Sequence, residues 1–375
     1  MAKKQAPLQT PFTDLDPEKE VPLPGDTSHD KTPPPPPTTP PLEQITKTSL
    51  LTYLRGEGRW RWWVMYLFAT YFVVFEKLKF LSLYTSFRIN WLKSWERWHA
   101  MLMNNEGGAP NQYRILSTIM AESIHQFGFS VFTSYIILRF MCLFLTCLLL
   151  HYLWQRWLRD IECFFGVTLF LLCSMLSLLP LIQPAEPLNV LMFVVCALCL
   201  VERRWKAFYL FLLVGALNKL TLAFLAPLVT AYLFLDTEER DTNTLKRALL
   251  HGLATGLLVV GVRFALVGML GHHKYYTGFW KIQENLNWMR TDAAGWNFVW
   301  FAVLPMVLIW LTWKKQPTLV RAHSLMLPLF IAGHFGITVV SEVRTFVVTL
   351  TLSLPALIIW LRTTTPIEKS TTSPL

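Results

Sequence analysis

Residues 205–235 read WKAFYLFLLVGALNKLTLAFLAPLVTAYLFL. At 1.5 Å per residue, one helix of that length would reach about 47 Å, well past the roughly 30 Å hydrocarbon core of a bilayer. Asn218 and Lys219 stand in the middle of the run, and such groups are expensive inside hydrocarbon. The reading therefore splits it into segments 205–217 and 220–235. That choice sets the topology, because two segments return the chain to the side it left whereas one delivers it to the other. Basic residues support the split. With it, Arg240, Lys246, Arg247, Lys314, Lys315, Arg321, Arg362 and Lys369 share a side with Arg156, Arg159, Arg203, Arg204 and Lys206, against Lys274, Lys281, Arg290 and Arg344 opposite. An excess of Lys and Arg marks the cytoplasmic side.

Working outward from that break, further apolar segments fall at 60–81, 131–154, 160–182, 185–201, 249–270, 297–313, 322–340 and 344–362. The expectation is an all-α polytopic membrane protein of about ten transmembrane segments, with both termini cytoplasmic. Composition excludes an ordinary soluble domain, since 53% of residues are hydrophobic and only 15% charged. A net charge of +10 raises nucleic acid as a partner. Most of the basic residues flank apolar spans, however, where they serve topology, and no nucleic acid is expected. Cys142, Cys147, Cys163, Cys173, Cys196 and Cys199 all lie inside apolar segments. They read as small buried hydrophobes rather than a disulfide or metal framework, the C-x-x-C at Cys196 and Cys199 included. Residues 1–48, with an unbroken run from Pro33 to Pro37, have too little apolar character for a core and read as a disordered cytoplasmic tail and spacer. Residues 49–362 form the polytopic domain and 363–375 a short polar tail. The N-terminus lacks the apolar region of a cleavable signal, so the first span is expected to direct insertion.

Under this topology Arg139, Lys219, Arg263, His334, Glu342 and Arg344 all lie toward the outer side. An intramembrane charge costs roughly 3 kcal/mol or more, so the grouping points to a polar cavity opening outward. Glu342, two residues before Arg344, reads as its local charge partner. The first outer loop, 83–130, is long and amphipathic. Trp91, Trp95 and Trp98 recur on one helical face with Lys93 and Arg97 on the other, as suits a helix lying in the headgroup plane. A second stretch, 115–127, sets Ile115, Ile119, Met120, Ile124 and Phe127 against Ser117, Thr118, Glu122, His125 and Gln126. Glu122 and His125 are three apart and share a face, as a catalytic pair or as a solvated surface.

Between these two helices runs Gly107-Gly108-Ala109-Pro110-Asn111-Gln112-Tyr113-Arg114-Ile115-Leu116. With the architecture of 60–362 around it, this stretch resembles the GT-C class of polytopic glycosyltransferases and its uncharacterised bacterial relatives, in which a long first outer loop carries membrane-parallel helices. Tyr113 and Arg114 sit where such relatives can carry a short aromatic-basic stretch. The resemblance implies transfer of a sugar from a polyprenyl-phosphate-linked donor on the outer face.

Such chemistry needs fixed cations near the outer ends of the spans to hold the lipid phosphate. Arg139 and Arg263, about two turns in, and Lys219 and Arg344, at helix ends, fit that need; His334, Tyr113 and Arg114 complete the candidate substrate-binding set. Transfer also needs a carboxylate to accept the proton of the incoming hydroxyl. The resemblance places it in the first outer loop, where Glu96 and Glu106 are available. Glu186, in the turn Gln183-Pro184-Ala185-Glu186-Pro187, is the next candidate. None of these lies in the Asp-centred motif that this class keeps near the end of its first span. A non-catalytic membrane scaffold of the same fold therefore stands as an alternative. A lipid or solute transporter is a third reading, to which the broken segment 205–235 points. In the loop 271–296, His272, His273, Lys274, Tyr275, Tyr276 and Trp280 suit sugar or headgroup contact as well as an interfacial belt. Adjacent histidines cannot both face one metal on a regular helix, and none is expected there.

Overall fold

The computed structural model describes residues 59–83, 88–109, 111–177, 185–238, 241–273, 280–291, 296, 298–337 and 346–364. These form thirteen α-helices, with no strand among the described residues, so the chain is all-α. The helices are α1 (Trp60–Leu83), α2 (Arg88–Met103), α3 (Ile115–His125), α4 (Val131–Trp154), α5 (Asp160–Ser177), α6 (Ala185–Val201) and α7 (Trp205–Ala216). They continue as α8 (Leu225–Leu235), α9 (Thr242–Leu270), α10 (Ile282–Thr291), α11 (Leu304–Leu311), α12 (Thr318–Ile337) and α13 (Val347–Thr364). Three of them, α4, α9 and α12, are long and apolar enough to cross a membrane. Shorter apolar helices lie at Ala185–Val201, Trp205–Ala216, Leu220–Leu235, Val299–Leu311 and Val347–Thr363. The tail 1–48, its proline run and the C-terminal 365–375 lie outside the described residues.

The expected interruption is present. After α7 the chain passes through Lys219 in an extended conformation (φ −157°, ψ 134°), enters a 3-10 turn at Leu220–Phe224 and resumes as α8. Two side contacts hold the gap open. Asn218 donates its amide to the Ala185 carbonyl at 2.8 Å, and the Leu217 carbonyl accepts from the Leu116 N–H at 3.3 Å. The Leu217 carbonyl released by the break thus finds a partner on a neighbouring segment, as buried peptide groups require.

One continuous apolar core runs from Tyr66 on α1 through Leu150, Phe170, Phe193, Leu212 and Leu225 to Phe330 and Leu352. α4 packs on α1, α3, α5 and α6, while α8 packs on α9 and α12. α8 and α9 approach so closely at Gly252 that a Cβ there would overlap the Thr230 hydroxyl and meet the Ala226 carbonyl at 3.0 Å. All six cysteines are free thiols, five of them buried. Outward faces are apolar: Phe68 and Phe72 on α1, and Leu250, Leu253, Leu257 and Phe264 on α9, are exposed.

α2 and α3 occupy the two stretches read as loop helices. Trp95 and His99 turn inward from α2, while Glu96 and Arg97 are exposed; the side chains of Trp91 and Lys93 lie outside the described residues. α3 does not divide cleanly into an inward apolar face and an outward polar one. Ser117 and Thr118 are buried, whereas Ile119, Met120 and, just past the helix, Phe127 are exposed. Ala121 is buried beside Ser117 and Thr118, with Leu116 and Ile124 packed on the same cluster, and Ser123 and Gln126 are exposed, so both faces of α3 are mixed.

Candidate functional site

The break between α7 and α8 places Lys219 against the start of α6. Its Nζ lies 2.5 Å from Glu186 Oε1 and 2.7 Å from Oε2, with both residues buried. Glu186 sits in the first turn of α6, where the helix dipole also favours a negative charge. Thr221 extends the polar group by donating to Asn189 Oδ1 at 3.0 Å. His334 on α12 lies within electrostatic reach of both charges, its ring stacked on Phe330 at 4.0 Å and its Nδ1 3.0 Å from the Phe330 carbonyl. Glu186, Lys219 and His334, separate candidates by sequence, therefore belong to one buried polar centre.

The 107–116 stretch forms a second centre. Gln112 is buried and ties the turn shut, accepting from the Gly107 N–H at 2.8 Å and donating to the Leu102 carbonyl at 3.1 Å. Gly107 is required by that closure: a Cβ would lie 2.5 Å from both Gln112 Oε1 and Leu102 Cδ2. Tyr113 then reaches the end of α9. Its hydroxyl donates to the Gly271 carbonyl at 2.9 Å and accepts from the His273 N–H at 3.0 Å, while the Arg263 guanidinium stands 3.7 Å over its ring. Asn105 joins the same end, donating to the Leu270 carbonyl at 2.9 Å and approaching His273 Nε2 at 3.1 Å. Arg114 is half-buried at the start of α3, where its carbonyl accepts from the Ser117 and Thr118 hydroxyls.

The third centre contains a residue that sequence reasoning missed. His99 is buried between α2, α3 and α4, with Nε2 2.8 Å from Glu122 Oε2 and Nδ1 2.9 Å from the Tyr135 hydroxyl. A carboxylate can only accept, so in the neutral ring Nε2 carries the hydrogen and Tyr135 donates to Nδ1. The hydrogen bond from His99 holds the Glu122 carboxyl below its ordinary value. Glu122 does not pair with His125, whose Nδ1 instead lies 2.6 Å from the Phe129 carbonyl. A signal for His99 existed, because it falls four residues after Trp95 and so continues the inward stripe of α2.

Arg139 lies one turn beyond Tyr135 on the same face of α4. It is 3% exposed, and its Nε and Nη2 have no hydrogen-bond partner among the described residues. Tyr135, Leu138 and Cys142 pack with Leu188 and Leu191 of α6, so the His99 centre and the Glu186–Lys219 pair flank one helix contact. Glu96 and Glu106 are exposed, Glu106 between Asn105 and Gly107 of the second centre. Glu342 and Arg344 lie outside the described residues. No group of three or more His, Cys, Asp or Glu suited to a metal occurs among the described residues.

A scan against protein-family models and searches of curated proteins and of solved structures found no match to the chain.

Proposed function

We infer that the chain is a multi-pass membrane protein that transfers a sugar from a polyprenyl-phosphate-linked donor at its outer end. The three long and five shorter apolar helices, with α1 and α5, would supply the ten membrane segments and leave both termini cytoplasmic. The observation that carries the catalytic half is His99 clamped between Glu122 and Tyr135. Three separate helices converge there on one imidazole. Glu122 remains partly exposed and is ionised at neutral pH, because its carboxyl is held below the ordinary range. It is the carboxylate suited to accept the proton of an incoming hydroxyl, with His99 and Tyr135 fixing its orientation. Glu186 does not fill that role, because Lys219 engages both of its oxygens. Phosphate contact falls to the cations at this end, Arg139 and Arg263, beside Tyr113 and Arg114.

The test is a reconstituted assay that follows release of polyprenyl phosphate from a lipid-linked sugar. Glu122→Gln and His99→Ala are each expected to lower kcat by about 100-fold or more while changing KM little. One observation favours the non-catalytic scaffold as a second reading: Glu186 is consumed by an ion pair while Glu96 and Glu106 are exposed. Wild-type protein that transfers no sugar from any lipid-linked donor tried would establish that alternative.

A further inference from the structure

α8 and α9 enclose a hollow that sugar transfer does not use. Gly252 lets the two backbones meet at Thr230 and Ala226, and one turn on, a Cβ added at Gly256 would sit 3.5 Å from the Ala226 methyl. Beside this crossing lies a groove of about 380 Å³, floored by these small residues and Pro227 and flanked by Leu253 and Leu257, both exposed. The hydroxyl in its lining, on Thr230, is turned onto the Ala226 carbonyl at 3.0 Å. The groove therefore offers hydrocarbon and nothing that would fix a sugar or a hydrated solute. An apolar chain is the occupant that suits it.

Helix length sets the depth of the groove and the charge at its mouth. α9 has 29 residues, about 43 Å at 1.5 Å each, and so exceeds a hydrocarbon core of roughly 30 Å. Its polar first two turns, residues 242–248, extend past the core on the cytoplasmic side, and the groove opens into the hydrocarbon just beyond them. Lys246 is exposed, one turn before Leu249 and Leu250 and two before Leu253 on the same side of the helix. Its ammonium thus stands at headgroup level over the groove, with exposed Arg247 next to it. An apolar groove under a cation matches an amphiphile with an anionic head. Arg263 lies eleven residues further along α9 than Gly252, about 16 Å away, so the groove faces the opposite leaflet from the cations assigned to the sugar donor.

We propose that the groove between α8 and α9 holds an acyl chain of an anionic phospholipid from the cytoplasmic leaflet, with Lys246 at its phosphate. This inference rests on the membrane half of the reading above and is independent of sugar transfer. The experiment places the full chain in phosphatidylcholine nanodiscs containing a trace of one photoreactive lipid, with a diazirine in its chain, and maps the adducts by peptide mass spectrometry. The probes are phosphatidylglycerol, phosphatidylcholine and undecaprenyl phosphate. Phosphatidylglycerol adducts are expected to concentrate at 226–230 and 249–257, about tenfold above those of phosphatidylcholine. Lys246→Glu leaves the groove intact and is expected to lower that labelling about tenfold. Gly256→Leu fills the groove and is expected to abolish it without lowering Tm, because leucine is the better helix former and its Cβ has room. Equal labelling by phosphatidylcholine, or adducts as dense at Phe264 and Met269 as in the groove, would overturn the proposal. So would undiminished labelling of Lys246→Glu or of Gly256→Leu. Preferential labelling by undecaprenyl phosphate would give the groove to the sugar donor, and a Leu253→Cys disulfide between two copies in place of adducts would give it to a second copy; either overturns the phospholipid. A chain that does not enter nanodiscs would remove the membrane reading together with this site. An embedded chain without groove adducts would remove the site alone and leave sugar transfer to its own assay.

Discussion

Lys219 and Arg139 are both cations within apolar sequence, yet the fold treats them oppositely. Lys219 meets a carboxylate, whereas Arg139 meets none among the described residues. Lys219→Leu or Glu186→Leu alone should therefore leave one buried charge unpaired, destabilising the protein by about 3–5 kcal/mol, whereas the two substitutions together should lose far less. Thermal unfolding in detergent of the two single variants and the double reads this directly; additive losses would disprove the coupling. The sequence marked both cations because charge inside apolar sequence stands out at any position. It did not distinguish their fates, because Glu186 reaches Lys219 across 33 residues, and pairing at that range is tertiary. The same reason hid His99, whose two partners come from α3 and α4. Arg263 and Tyr113 were each legible as candidates, but the stacking of one over the other was not.

Helix ends are set by local chemistry that the sequence does display. Ser130 caps α4 by accepting from the Thr133 N–H at 3.1 Å, and Asp241 caps α9 through the Thr244 N–H at 2.7 Å. α2 closes with Asn105 at φ 59°, where the Glu106 N–H reaches the Met101 carbonyl at 2.7 Å and the Asn105 N–H the Leu102 carbonyl at 3.3 Å. That closure delivers the chain to Gly107 and the turn that Gln112 locks. Gly107→Ala is expected to open the turn, because the added methyl meets a buried amide and a leucine at once. A loss of about 1–3 kcal/mol, with Tyr113 freed from α9, should appear as a lower Tm and faster amide exchange at 107–116; unchanged exchange would refute it. The break between α7 and α8 was legible from the length of the 31-residue run together with Asn218 and Lys219 in its middle. The burial of Ser117 and Thr118 on α3 was not, because periodicity separates two faces without saying which residues meet protein. The π-helical stretch at Val299–Val303, ahead of α11, left no trace in the pattern either, since 299–311 is apolar at every position and has no stripe for an extra residue to displace.

Sidedness belongs to the whole molecule and can be read by labelling. Every native thiol is buried or half-buried, so single cysteines can be introduced without first removing them. With an impermeant maleimide, Glu106→Cys is expected to label only from outside and Lys246→Cys only from the cytoplasm, both positions being exposed. Labelling of the two from the same face would sink the ten-segment arrangement. The Glu186–Lys219 pair also imposes a schedule on biogenesis. Glu186 leaves the ribosome 33 residues ahead of Lys219, an interval of roughly 2–7 s at ordinary synthesis rates. During that time its carboxylate has no counter-ion and cannot be released into lipid cheaply. On the membrane reading, α6 must therefore wait at the translocon until α7 has followed it, and the two helices enter the bilayer as one hairpin with their charges already joined.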